Sequence, residues 1–330
     1  MNNNKINKIL IIRLGAIGDV VHTANVYRAI KKWNSNIEIH YLTTINPNML
    51  KFDECISKVW NVNLDQLKPF SKASKEFTKI LQAENYDAVI NLQPSVKTRL
   101  IAYFARIKKR INYRKKNRIH AVKNYWQTAK RLFPEIEELP NLSLTLNPEI
   151  CQQVETQVSE LKKPLVILNA GHVFARRQGR TYPITKWIEL GNKIQEKYDG
   201  TILITGVKVD EEILKPLECI KNSVSFVSKQ TLEENCALIK ASDLLISGDS
   251  GPLHIATALG TKVIGMYGSM PTKRTGPYGE NHCAIVSKKH CVPCNRRKCK
   301  YLNFPKELYS PCMCEITVDE IFTEVEKILG

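Results

Sequence analysis

The sequence predicts an α/β protein built from two doubly wound parallel sheets. Three observations lead there. Short, nearly unbroken apolar runs recur with helical patterns between them, as expected of parallel strands buried on both faces. The runs fall into two sets, one in each half of a 330-residue chain, a length that suits two ordinary domains. In each half one run ends in a small-residue turn that opens a helix. Alternation of strand with helix implies right-handed crossovers and therefore parallel pairing.

In the first half the predicted strands are Lys8–Gly15, Ile37–Thr43, Lys58–Val62, Tyr86–Gln93 and the short Arg110–Tyr113. In the second half they are Pro164–Ala170, Gly200–Gly206, Ser223–Val227, Asp243–Gly248, Lys262–Gly268 and Cys283–Val286. The join is expected within 141–163, where Asn141–Pro148 gives way to a polar helix and then Pro164. Domains are accordingly placed at 1–155 and 156–330. The second carries a cysteine-rich loop, 283–314, and a terminal amphipathic helix over Thr317–Leu329. Thr231-Leu-Glu-Glu234 reads as a capping box. Ser250–Gly260 reads as a short helix with Pro252 in its first turn and Gly260 closing it.

Charge is placed unevenly. The net charge is +17, with 25 Lys+Arg against 12 Asp+Glu in residues 1–150 but 24 against 20 in residues 151–330. The segment Arg106–Arg118 holds eight basic residues in thirteen and no acid. It is either a solvated face or a surface for an acidic partner: nucleic acid, anionic lipid or a phosphorylated saccharide. No helix-turn-helix, zinc-finger or RNA-recognition pattern is present, so no nucleic-acid partner is expected. No apolar run nears the roughly 20 residues of a membrane span. The N-terminus lacks a signal-peptide core, which predicts a cytoplasmic protein.

Two turns carry candidate chemistry. Gly15-Ala-Ile-Gly-Asp-Val-Val-His-Thr23 links the first strand to the first helix and places Asp19 where a crevice forms in such sheets. Asp19 is read either as an N-cap or as a residue facing ligand. Leu245-Ile-Ser-Gly-Asp-Ser-Gly-Pro-Leu-His-Ile-Ala256 repeats the design. Its free amides and helix dipole favour an anion, Asp249 offers an acceptor for sugar hydroxyls, and His254 faces the same end. The alternative there is a capped helix with a buried histidine. Together the turns suit group transfer from a nucleotide-activated donor, with a base in one domain and an anion cradle in the other. Gly206, ending its strand, would let a nucleotide approach the backbone. Lys229-Gln-Thr231 is a further nucleotide-loop candidate.

The chain resembles glycosyltransferase family 9, the lipopolysaccharide heptosyltransferases, over nearly its whole length. The resemblance rests on Lys8–Thr23, Asn91–Lys97, Arg118-Ile-His-Ala-Val122, Asn169-Ala-Gly171, Arg180-Thr-Tyr-Pro183, Ser247–His254 and Gly265–Ser269, in that order. It implies a GT-B architecture, two Rossmann-like domains facing each other across a cleft. It further implies an N-terminal acceptor domain and a C-terminal nucleotide-sugar domain. The implied activity is inverting transfer of heptose from ADP-heptose to a lipopolysaccharide inner-core acceptor, with Asp19 matching the catalytic acid. Expected donor-binding residues are Arg180, Gly206, Asp249, Ser250, Gly251 and His254. Expected acceptor-binding residues are Gly18, Lys97, Arg114, Arg118 and His120. Arg180 stands where the family often has Lys, which keeps charge but not geometry. An anionic, lipid-linked acceptor places the protein at the cytoplasmic face of the inner membrane. A related enzyme that moves another sugar, or uses a protein acceptor, fits the same residues.

Inversion needs one displacement and one general base, so no cofactor is expected for catalysis. The chain has no Asp-x-Asp motif. A dehydrogenase or epimerase would need a Gly-x-Gly-x-x-Gly fingerprint, which Gly15-x-x-Gly18 does not supply. The other reading is a non-enzymatic basic module binding membrane or nucleic acid. Ten cysteines in a cytoplasmic chain argue against a disulfide framework. Cys291, Cys294, Cys299 and Cys312 have spacing compatible with structural zinc or iron, with Arg296, Arg297 and Lys298 favouring thiolates. The alternative is reduced thiols packing a loop.

Overall fold

A computed structural model describes residues 6–63, 65–171, 180–280, 282–296, 298–303 and 306–330. The chain divides into two compact units, Met1–Thr145 and Leu146–Gly330. The division falls inside the expected joining segment but before residue 155. Helix Pro148–Val158 packs on helix Leu232–Ala241 and so joins the second unit. Asn147 caps it, accepting from Glu149 N at 3.0 Å, with Pro148 in the first turn.

The first unit holds five strands: β1 (Lys8–Ile12), β2 (Glu38–Thr43), β3 (Lys58–Asn61), β4 (Ala88–Asn91) and β5 (Lys109–Asn112). Their order is β3-β2-β1-β4-β5, with every pairing parallel. The chain starts on the central β1, winds out to β3 and crosses back to β4. That reversal sends the loops after β1 and β4 in opposite directions, the position where α/β sheets bind ligands. Ile9, Leu10, Ile11 and Ile12 are fully buried, which is why β1 reads as an unbroken apolar run. The edge strands begin on exposed Lys58 and Lys109, a pattern that discourages further strand pairing.

The second unit holds β6 (Leu165–Asn169), β7 (Thr201–Ile204), β8 (Ser223–Ser225), β9 (Leu244–Gly248), β10 (Lys262–Tyr267) and β11 (Cys283–Val286). Their order is β11-β10-β9-β6-β7-β8, again all parallel. Here the reversal lies between β6 and β9. The two doubly wound sheets are those expected from the sequence. Capping boxes at Thr231/Glu234 and Thr317/Glu320 are both formed, and Gly260 closes its helix at φ 82°. The span 283–314 is not one loop. It starts as β11 and ends in helix Pro311–Glu315, because Met313 is buried in the second core. Among the described residues no helix is long and apolar enough to cross a membrane.

An ion cluster closes the amino end of the first sheet. Glu84 accepts from Lys58 Nζ and Lys8 Nζ, each at 2.6 Å. Those two bonds hold its carboxyl down at about 2. Beside it, His40 bonds Tyr86 Oη at 2.7 Å and Glu38 Oε1 at 2.6 Å.

Candidate functional site

Asp19 lies on a short helix, Ile17–Val21, directly after β1. It is the third helical residue. The N-cap is Ala16, which offers no side-chain cap, so the reading of Asp19 as an N-cap is wrong. Its carboxylate is held by partners from outside the turn. Arg13 Nη2 pairs with Oδ2, and the Tyr125 hydroxyl donates to Oδ1 at 2.8 Å. Arg13 follows β1 and is 5% exposed, so it needs close partners to offset desolvation. It has them: Nη1 donates to Leu92 O at 3.0 Å, and the guanidinium stands 5.4 Å from the Tyr125 ring centroid. Burial first, then the Asp19 charge, pushes the Tyr125 phenol well above its ordinary range. Tyr125 therefore remains a donor at neutral pH. Arg13 thus ties the loop after β1 to the loop after β4, across the reversal in the sheet. Asp19 keeps 29% of its side chain exposed. An oriented, accessible carboxylate at this position can accept a proton from a hydroxyl.

The expected acceptor residues divide. Lys97, Arg114 and Arg118 are exposed, and Lys97 and Arg114 follow β4 and β5 on the carboxyl edge that carries Asp19. The loop after β5 is stapled by buried Asn124, which accepts from Lys116 N at 2.8 Å and donates to Arg114 O at 3.2 Å. His120 serves the fold, because its Nδ1 accepts from Val122 N at 3.3 Å as the N-cap of helix Ala121–Ala129. Its ring meets buried His22 edge-on at 5.3 Å. Gly18 is buried within its helix.

In the second unit the Ser247–His254 turn sits at the other reversal. Asn169 ends β6, and its Nδ2 donates to Ser247 Oγ at 2.7 Å and to Ser250 Oγ at 3.0 Å. The two serine hydroxyls lie 2.8 Å apart. This knot joins the ends of β6 and β9. It also occupies the Ser250 hydroxyl. Ser250 is the N-cap of helix Gly251–Leu259 yet makes no side-chain cap bond. The Ser250 side chain therefore does not cover the amides of the helix's first turn. Buried His254 lies one turn in, with Nε2 3.7 Å from Asp249 Oδ1. Of the capped-helix alternative, the buried histidine is present and a side-chain cap from Ser250 is not. Arg180 lies alongside, its carbonyl 3.7 Å from where a Cβ on Gly248 would stand. Gly206 is explained by packing, since a Cβ there would meet Leu214 Cδ1 at 2.4 Å. Lys229 Nζ donates to Ser225 O at 2.8 Å, and Thr231 is engaged in its capping box.

The sequence model of glycosyltransferase family 9 (heptosyltransferase) matches residues 75–304, more than half of the chain. The chain belongs to glycosyltransferase family 9. It is a glycosyltransferase enzyme. It is 26% identical over 303 residues to lipopolysaccharide heptosyltransferase 1 of Campylobacter coli, covering 81% of this chain and 85% of that one. A family 9 glycosyltransferase of Veillonella parvula superposes with a TM-score of 0.82 at 18% identity, covering 98% and 97% of the two chains. The ADP-heptose lipopolysaccharide heptosyltransferase II of Escherichia coli superposes with a TM-score of 0.78 at 17% identity, covering 98% of each. At these identities the superpositions establish the fold, which is the GT-B fold expected. The matched span begins after Asp19, so Asp19 stands on its own geometry.

The candidate metal site at the cysteines of this family 9 chain finds no support among the described residues. Cys291, Cys294, Cys299 and Cys312 do line one cavity of about 240 Å³, with Ser269 and Arg296. Among the described residues, however, no three His, Cys, Asp or Glu side chains are gathered to hold a metal ion. Cys312 turns into the fold: a Cβ on Gly268 would stand 2.7 Å from its Sγ. Burial raises its thiol pKa. Arg297 lies outside the described residues. Two residues absent from the expected site proved central. Arg13 had a local signal, one charge ending an apolar run. Tyr125 had none.

Proposed function

We propose that this family 9 enzyme transfers a heptose from ADP-heptose to a lipopolysaccharide or lipooligosaccharide inner-core acceptor, with inversion. The single observation that carries the catalytic assignment is the Asp19 carboxylate, oriented by Arg13 and Tyr125 and open to solvent. The first unit supplies the base and the acceptor surface, and the second holds the donor. In the step, the acceptor hydroxyl gives its proton to Asp19 as its oxygen bonds the anomeric carbon. The bond from that carbon to the diphosphate breaks, and its electron pair leaves with ADP. Arg180, the Gly251 amide and the dipole of helix Gly251–Leu259 meet the developing charge.

Inner-core saccharides on lipid A carry carboxylates and phosphates. That suits Lys97, Arg114 and Arg118, and we infer that the enzyme works at the cytoplasmic face of the inner membrane. The test is incubation with a panel of nucleotide sugars and deep-rough acceptors, with products read by mass spectrometry and the new linkage by NMR. ADP-heptose turnover with an inverted anomeric centre is the expected result. Turnover of a different sugar, or glycosylation of protein alone, would replace this reading with the neighbouring one. Retention of configuration would remove Asp19 as the base of a single displacement.

A further inference from the structure

We propose that helix Val96–Phe104, together with Phe70, docks the first unit on an anionic lipid bilayer. The proposal rests on the reading of a lipid-linked acceptor but is argued from a separate surface. Phe70 and Val96 are each 67% exposed and Tyr103 is 60% exposed, the most exposed large apolar side chains described in the first unit. They are not scattered. Phe70 meets Phe104 edge-on at 5.6 Å, and Phe104 meets Tyr103 at 5.5 Å. At 3.6 residues per turn, Val96, Leu100 and Tyr103 share one face of the helix. The opposite face, Thr98, Ile101 and Ala102, is the buried one. The outward apolar face therefore contributes nothing to the core of its own unit.

Charge says what covers it. Arg99 is exposed on the same face, and the Arg110 guanidinium stands 5.4 Å from the Tyr103 ring centroid. Arg110 lies within the run of eight basic residues. Aromatic and apolar side chains ringed by arginine match the boundary of a bilayer, where rings enter the headgroup layer and cations meet anionic lipid. The helix starts after β4, on the edge that carries Asp19. A docked helix would therefore bring that edge toward an acceptor whose anchor lies in the membrane.

The experiment is co-sedimentation of the full chain with vesicles, without donor or acceptor. Vesicles of phosphatidylethanolamine with phosphatidylglycerol are compared with phosphatidylcholine alone. The parent should bind the anionic vesicles at least tenfold more tightly. Phe70→Ser with Tyr103→Ser should remove most of that binding while leaving the melting temperature and turnover of an acyl-free acceptor unchanged. A Val96→Trp variant should show a blue-shifted emission on binding. Equal binding by parent and double variant, an unshifted tryptophan, or capture of single-stranded RNA in preference to vesicles would overturn the proposal. Because the vesicle-binding readouts involve no sugar transfer, their failure would leave the proposed reaction standing.

Discussion

The Tyr125 hydroxyl donates a 2.8 Å hydrogen bond to Asp19 Oδ1 from 106 residues further along the chain. With Arg13 on the other oxygen, it fixes the carboxylate in two directions. The carboxylate is thus aimed by a helix that follows the last strand of its sheet. Its aim depends on tertiary folding, whereas its position after β1 is local.

Asp19→Asn should abolish transfer, lowering kcat by about a hundredfold or more, the usual contribution of general-base catalysis. Donor affinity should stay within about twofold, because the proposed donor cradle belongs to the second unit. Tyr125→Phe should lower kcat by about tenfold with the donor KM unchanged, since a hydrogen bond to a charged group contributes roughly 1.5–3 kcal/mol. Steady-state kinetics of both purified variants, alongside donor calorimetry, decide this. Parental turnover in Asp19→Asn would end the assignment.

Asn169 sets up a second prediction. It engages the Ser250 hydroxyl, which otherwise would cap its own helix. Asn169→Ala should release that hydroxyl to the helix amides and weaken ADP binding about tenfold, with little change in melting temperature. Asp249→Ala should also weaken nucleotide-sugar binding. Calorimetry with ADP and with ADP-heptose separates them: Asn169→Ala should affect both ligands, and Asp249→Ala mainly the sugar. Unchanged affinities would take both residues out of the donor site.

Both sheets were legible because β1, β4, β6 and β9 are buried on two faces and write that burial as apolar runs. The Thr231 box was legible because capping is decided within four residues. Asp19 and the Ser247–His254 turn were legible for the same local reason. What was not legible depends on side-chain direction. Cysteine spacing does not say that Cys312 turns toward Gly268. A histidine near basic residues does not say that His120 caps a helix. Asn169 stood in a recognised segment, yet its role needs Ser247 and Ser250 across the sheet, and Tyr125 needs Asp19.

Arg114→Ala and Arg118→Ala should each raise the acceptor KM about fivefold, the scale of an exposed ionic contact. Donor KM should not move, because both side chains belong to the first unit. Added salt should raise the acceptor KM of the parent more steeply than that of the double variant. Identical salt slopes would mean that these side chains never meet the acceptor.

The ion cluster at the far end of the first sheet gives a stability prediction separable from catalysis. Bonds from Lys58 and Lys8 hold Glu84 at about 2, below the ordinary 4.5. A depressed carboxyl stabilises the fold above its unfolded pKa and loses that contribution as pH falls toward the folded value. The loss should therefore run from about pH 4.5 down to about pH 2. Neighbouring His40 works in a higher window. Burial lowers its pKa from 6.5, so the unfolded chain takes up the proton first and stability falls as pH drops below that value. Glu84→Gln should melt a few degrees lower than the parent at pH 7, on the scale of about 1 kcal/mol in a unit of this size. The two melting curves should converge between pH 4.5 and pH 2, while the slope near pH 6 persists in both. Melting temperatures measured across pH 2–7 check this. Parallel curves over the whole range would show that Glu84 carries no linked proton.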